Sequence, residues 1–305
     1  MARAVELGNA RIVAPGRLRW LRAIGWMVLL AVLVIFTFGL ISGGLVGVAA
    51  SRAGIEPADV NQTIVLLSTI LGALVATSLY AALVGWGEKR RASELKLRFF
   101  PFEVALGLAI GAAMMAAAVA IAWTAGWMTV TAVPVQTVTR AVSESIQSGV
   151  MEEVLFRLVI LRLLWRAFGI WPALGLSALI FGLVHLGNPN ASLFAALCIA
   201  VEAGVMLATF YILTGRVWVS VGVHAGWNFT QGWIFGAAVS GTDGFAGGPL
   251  LTRPAADMPH WLSGGTFGPE ASLAGLIVGT GVGAYTLWLA RQKGRLGEGA
   301  AAPVE

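Results

Sequence analysis

The chain has 305 residues, of which 58% are hydrophobic and only 11% charged, with a mean hydropathy of +0.83. A soluble domain carries roughly a quarter of charged residues, so the composition excludes one and describes a polytopic membrane protein. The net charge of +5 comes from basic residues spread over loops rather than gathered on one face, which speaks for membrane topology and against a nucleic-acid partner.

A membrane-crossing helix needs about 20 mostly apolar residues. Eight stretches qualify: 23–50, 64–86, 102–127, 142–165, 171–186, 193–214, 218–240 and 273–290. The expected fold is therefore all-α, a single domain with about eight transmembrane helices over 23–290, a basic tail at 1–22 and a second tail at 291–305. The first stretch is too long for a secretory signal peptide, whose apolar core is about 7–15 residues.

Loop charges set the orientation. Arg3, Arg11, Arg17, Arg19 and Arg22 precede the first span, and Lys89, Arg90, Arg91, Lys96 and Arg98 separate the second from the third. Arg162 and Arg166 close the fourth, Arg216 stands between the sixth and seventh, and Arg291, Lys293 and Arg295 follow the last. The opposite loops carry only Arg52, Arg140 and Arg253. The positive-inside rule then puts both termini in the cytoplasm.

Glycine ladders on the first span (Gly39, Gly43, Gly47) and the last (Gly275, Gly279, Gly283) predict close helix packing. Trp20, Trp26, Trp86, Trp127, Trp165, Trp171 and Trp218 fall near predicted helix ends, as an aromatic belt does. The segment 241–270, rich in Gly and Pro, is the one long non-helical connection; it is expected outside, with Trp261, Leu262 and Phe267 resting on the membrane or capping the bundle. His260 reads as a surface residue of that loop. Cys198 excludes an internal disulfide and a multi-cysteine metal site.

Against this apolar background the run Met151-Glu152-Glu153-Val154-Leu155-Phe156-Arg157 needs a reason. An ionised side chain at bilayer depth costs about 2.5–3.5 kcal/mol on insertion scales, so intramembrane charges are paired, turned inward and functional. Helix residues four apart share a face, so Arg157 is placed to pair with Glu153 while Glu152 points elsewhere, without a built-in partner. Phe181 and His185 share a face in the same way, as do His224 and Asn228. An imidazole and an amide on one face can donate two hydrogen bonds to one oxygen, and a carboxylate beside an imidazole can hold and deprotonate water. Glu202 is a further intramembrane acid, open between pairing with a cavity residue and facing polar backbone.

Glu152-Glu153-x-x-x-Arg157, Phe181-x-x-x-His185 and His224-x-x-x-Asn228, in that order over 143–229, resemble the three signatures of the CAAX protease and bacteriocin-processing family of intramembrane endopeptidases. Leu158 departs from the glycine that many members place after the motif arginine. The resemblance implies hydrolysis of a peptide bond in a membrane-embedded cavity of a bacterial plasma-membrane protein. The substrate it implies is a peptide or membrane protein, prenylated or not, met within the lipid bilayer. Position by position, it implies that Glu152 and His185 activate the water, that His224 and Asn228 form the oxyanion hole, and that Glu153, Arg157 and Phe181 organise the site or bind substrate. No cofactor is expected. The rival is zinc held by Glu152, His185 and His224; Asn228, a poor zinc ligand and a natural oxyanion donor, favours the metal-free glutamate mechanism. The alternative functions are a non-catalytic scaffold or immunity protein binding a peptide in the same cavity, and a proton-coupled transporter, which the absence of an inverted repeat disfavours.

Overall fold

The computed structural model describes residues 4–297. Arg3 and the last part of the C-terminal tail, 298–305, lie outside the described residues. Helices stand where the apolar runs predict them: α1 (Arg19–Ala53), α2 (Gln62–Glu88), α3 (Phe100–Thr124), α4 (139–168), α5 (Ile170–Val184), α6 (Leu193–Thr214), α7 (218–234) and α8 (Leu273–Gln292). Their ends follow local chemistry. Asn61 caps α2 by accepting from the Thr63 amide at 2.8 Å, Ser192 and Ser272 cap α6 and α8 at 3.1 Å each, and Gly54 stops α1 in the left-handed region at φ 67°.

Six of these helical stretches are long and apolar enough to cross a membrane: Arg19–Ala53, Gln62–Glu88, Ser93–Thr124, Ile170–Gly187, Leu193–Thr214 and Leu273–Gln292. The two others expected as spans, α4 and α7, are helical but fall outside that set. α4 carries Glu144, Glu152, Glu153, Arg157 and Arg162, and α7 ends at Ile234, short of the expected 240. Both are largely enclosed by the other helices: in α4 the side chains from Phe156 to Trp165 are all buried, and in α7 nearly all from Trp218 to Asn228. Large apolar side chains are instead exposed around the outside, Phe36 at 63%, Leu74 at 61% and Phe102 at 72% among them. Lipid covers such a surface; water would not tolerate it.

The helices meet through small residues. A Cβ on Gly107 would lie 2.5 Å from the Val219 carbonyl oxygen, and one on Gly111 2.1 Å from that of Val223, so α3 and α7 cross at backbone contact. Gly222 and Gly226 complete the crossing from α7. The ladder on α8 packs likewise, Gly279 on Glu202 and Gly283 on Met206. The ladder on α1 does not: Gly39, Gly43 and Gly47 face open space.

Three features were not anticipated. Met128–Ala132 (β1) pairs antiparallel with Leu250–Pro254 (β2), Met128 opposite Pro254, tying the connection after α3 to the long loop. A two-stranded ribbon is marginal alone; this one is supported by Met128 packing with Ala118, Ala122 and Ala274. Residues expected as an N-terminal tail lie against the bundle instead, with Val5 and Val13 buried and Arg166 donating to the Val13 carbonyl at 2.8 Å. Next to them lies a buried charge network. Arg162 is bidentate to Glu88 at 2.8 and 2.7 Å, Arg90 bridges Glu88 to Glu94, and Tyr80 donates to Glu94. It draws in one tryptophan, Trp26, which donates to Glu88 at 2.9 Å; Trp26, Trp165 and Trp218 are buried rather than part of a belt, whereas Trp20, Trp86 and Trp171 are exposed.

Candidate active site

The α3–α7 crossing aims the first two polar groups. Gly222 and Gly226 occupy one face of α7; His224 and Asn228, two residues on from each, project about 200° around the helix, away from α3 and toward α4. Gly149 lets α4 come close there, since a Cβ on it would meet that of Ala225 at 2.8 Å. α4 is π-helical at Gln147–Glu152 and again at Val154–Leu161, on both sides of Glu153. π turns are rare and concentrate at functional sites.

Glu153 and Arg157 are fully buried and paired, Arg157 Nε donating at 2.8 Å and Nη2 at 3.3 Å. The expected pairing is therefore present, and it extends further. Arg157 Nη1 donates to the Gly204 carbonyl at 3.1 Å, the guanidinium lies over the Phe181 ring at 5.1 Å, and Glu153 Oε1 is 3.0 Å from His224 Nδ1. A ring nitrogen facing an ionised carboxylate is the donor, so the proton of His224 sits on Nδ1 and the ring is held with Nε2 pointing away. Nε2 lies 4.0 Å from Glu152 Oε2.

Glu152 is one-third exposed in its side chain, and its Oε2 has no hydrogen-bond partner. Of the two adjacent acids it is the one that Arg157 does not hold, as the helical spacing predicts, and the His224 ring is its charged neighbour. His185 stands in the turn that ends α5, its Nδ1 2.7 Å from the Phe181 carbonyl oxygen. That contact requires a proton on Nδ1 and leaves Nε2 as an acceptor. Phe181 is buried between the histidines, its ring 4.9 Å from His185 and 6.2 Å from His224. Asn228 donates from Nδ2 to Ser148 Oγ at 3.1 Å, and Ser148 donates to the Glu144 carbonyl at 2.9 Å.

A small cleft is lined by Phe181, His185, His224, Asn228, Glu202 and Glu270 with their neighbours. The structure thus gathers His185, His224, Asn228 and Phe181 on one cavity. Glu152 meets that group through His224, and no hydrogen bond or ion pair joins it to His185 among the described residues. Also among the described residues, no three His, Cys, Asp or Glu side chains come together as a metal-ligand set. His224 and His185 each engage Nδ1, on Glu153 and on the Phe181 carbonyl oxygen, and each keeps Nε2 for other partners.

Sequence reasoning missed Ser148 and Glu270. Ser148 was findable, since it lies four residues before Glu152 on the same helix. Glu270 was not: it follows the long loop, and only the fold brings it to the cleft, where it is buried and accepts from the Ser240 amide. Burial pushes its carboxyl up to about 7, with the Ser240 hydrogen bond pulling the other way. Among the described residues Glu202 finds neither a side-chain nor a backbone hydrogen-bond partner, and both of its oxygens are buried. His260 is exposed, as expected.

Compared with known proteins, residues 134–230 match the family model described as type II CAAX prenyl endopeptidase Rce1-like. No curated protein and no solved structure matches the chain. The matched segment contains Glu152, Glu153, Arg157, Phe181, His185, His224 and Asn228, and it is an Rce1-like domain within an all-α membrane protein.

Proposed function

From an Rce1-like domain at residues 134–230, we propose that the chain is an intramembrane endopeptidase that hydrolyses a peptide bond of a membrane-associated or lipidated protein without a metal. One observation carries the reading: the Arg157–Glu153–His224 chain fixes an imidazole whose Nε2 lies 4.0 Å from Glu152, beside a cleft that also holds His185 and Asn228.

In the proposed reaction Glu152 takes a proton from water, and His185 Nε2 accepts the hydrogen bond of the other water hydrogen. The hydroxide oxygen bonds to the carbonyl carbon, and the carbonyl electron pair moves onto its oxygen. Asn228 Nδ2–H and His224 Nε2–H stabilise that oxyanion. Since Nδ1 of His224 already donates to Glu153, Nε2 donates only from the doubly protonated ring, which two neighbouring carboxylates favour. Collapse of the oxyanion breaks the C–N bond, and Glu152 returns its proton to the departing amine. Glu153 and Arg157 hold His224; Phe181 separates the two histidines. Loop charges further support a multi-pass orientation with both termini cytoplasmic.

The test compares membrane proteomes of cells carrying the wild-type chain or Glu152→Gln, mapping new peptide termini by mass spectrometry. Termini that vanish in the variant establish proteolysis and name the bond. If none differ while the variant still rescues a null phenotype, the cavity binds rather than cuts. For the metal-free mechanism, full activity of purified protein after exhaustive chelation is expected, and restoration by zinc alone sinks it.

A further inference from the structure

The cleft has an acidic wall that the hydrolytic steps above do not use. Glu202, on α6, is 1% exposed, and neither of its carboxylate oxygens has a hydrogen-bond partner. Glu270, 2% exposed, stands near it and accepts from the Ser240 amide, with the side chains of Ser240 and Gln231 as further donors. Both line the cleft that holds His185, His224 and Asn228. A buried carboxylate with no donor is costly, and chains keep one where something arrives to pair with it.

The backbone is shaped around these two acids. Glu202 lies in a π-helical stretch, Ala200–Val205, the kind of helix defect that re-aims a side chain. Gly279 of α8 lies against it, with a Cβ there 2.6 Å from that of Glu202 and 3.4 Å from Oε2. Gly275, one turn earlier, lies against the Glu270 backbone, where a Cβ would be 3.0 Å from its carbonyl oxygen. The α8 ladder thus makes room for both residues. Arg157, which reaches the Gly204 carbonyl two residues from Glu202, is already committed to Glu153. Trp227 lines the same cleft, an aromatic residue of the type that attracts cations.

We propose that Glu202 and Glu270 form a subsite for an organic cation, the ammonium or guanidinium of a lysine, arginine or free amino terminus carried by the peptide substrate. The subsite fixes which bond reaches the catalytic groups. The inference rests on the reading of the cleft as the substrate site, and deepens it by naming a charge that the substrate carries.

Its first test needs no cleavage. The full chain carrying Glu152→Gln is purified in detergent, and its unfolding temperature is followed against butylammonium, butylguanidinium, butanol and butyrate. Saturable stabilisation by the two cations and not by the neutral or anionic probe is expected. Adding Glu202→Gln should weaken half-saturation about tenfold or more, as for one lost charge-assisted hydrogen bond. Glutamine is close in shape and easier to bury, so the variant stays folded, and Glu270→Gln gives a second reading of the same site. Equal stabilisation by butanol, a cation effect that persists in Glu202→Gln, or saturable binding of calcium in place of the organic cations overturns the proposal.

A second arm uses the wild-type chain and peptides in which a single lysine or arginine is moved along either side of the cleaved bond. One position should raise kcat/KM over norleucine about tenfold, and Glu202→Gln should erase the difference. Amino-terminal acetylation separates a free amine from a side chain. Cleavage indifferent to a cation at every position overturns the subsite and leaves the protease reading intact. Cation binding without any cleavage does the reverse.

Discussion

Arg157→Ala separates folding from chemistry most sharply. The guanidinium is fully buried, holds Glu153 by contacts at 2.8 and 3.3 Å, and reaches across to the Gly204 carbonyl at 3.1 Å. Removing it leaves Glu153 buried with only His224 to answer its charge. Breaking one partner out of a buried pair costs about 3–5 kcal/mol, a factor of roughly 10² to 10⁴ in the folding equilibrium at 1.4 kcal/mol per decade. Glu152→Gln, at a side chain one-third exposed whose Oε2 has only the His224 ring 4.0 Å away, removes far less support. The assay is the unfolding midpoint of both purified variants in one detergent, read beside cleavage of an identified substrate. Glu152→Gln should unfold with the wild type and be inactive; Arg157→Ala should unfold well below it. Equal midpoints would show that the Arg157–Glu153 pair is not structural, and the account of how His224 is held would fall with it.

The remaining predictions test the oxyanion donor, the helix crossing and the acidic wall. Asn228→Ala should lower kcat about 10²–10³-fold, the usual cost of one lost oxyanion donor, with its unfolding midpoint close to wild type. Gly111→Ala would push a Cβ to 2.1 Å from the Val223 carbonyl oxygen; α7 must shift, costing about 1–3 kcal/mol or more, and activity should fall although no catalytic group changed. Glu270 has a folded pKa of about 7 against 4.5 for the free group. Its contribution to stability is therefore complete below about 4.5 and is lost as pH rises through about 7. Glu270→Gln should flatten the fall of the unfolding midpoint across that window, and an unchanged profile would refute the assignment.

Much of the site could be read from spacing. Residues four apart on a helix share a face whatever surrounds them, so Glu153 with Arg157, Phe181 with His185 and His224 with Asn228 were legible before any fold was known. The apolar runs were legible too, because the bilayer sets their length. Span count was less so. Hydropathy treats every helix as though it faced lipid, whereas α4 and α7 are wrapped by their neighbours, and their charges are neutralised by contacts that no window can sum.

What only the tertiary structure decided is which faces meet. That Glu153 answers both Arg157 and His224, and that Glu152 lies 4.0 Å from His224, depends on how closely α7 approaches α3 and α4. That closeness rests on Gly107, Gly111, Gly149, Gly222 and Gly226, glycines whose spacing looks no different from the ladder on α1 that meets nothing. Glu270 lies 46 residues beyond His224 in a loop whose sequence carries no helical period, and a long flexible connection places its far end only through the contacts it finally makes. Sequence alone therefore determined the solvent, the helices and the chemical groups, since those follow from local composition and a fixed period. The fold decided the partners, because burial and charge pairing are properties of surfaces that exist only once the chain has packed.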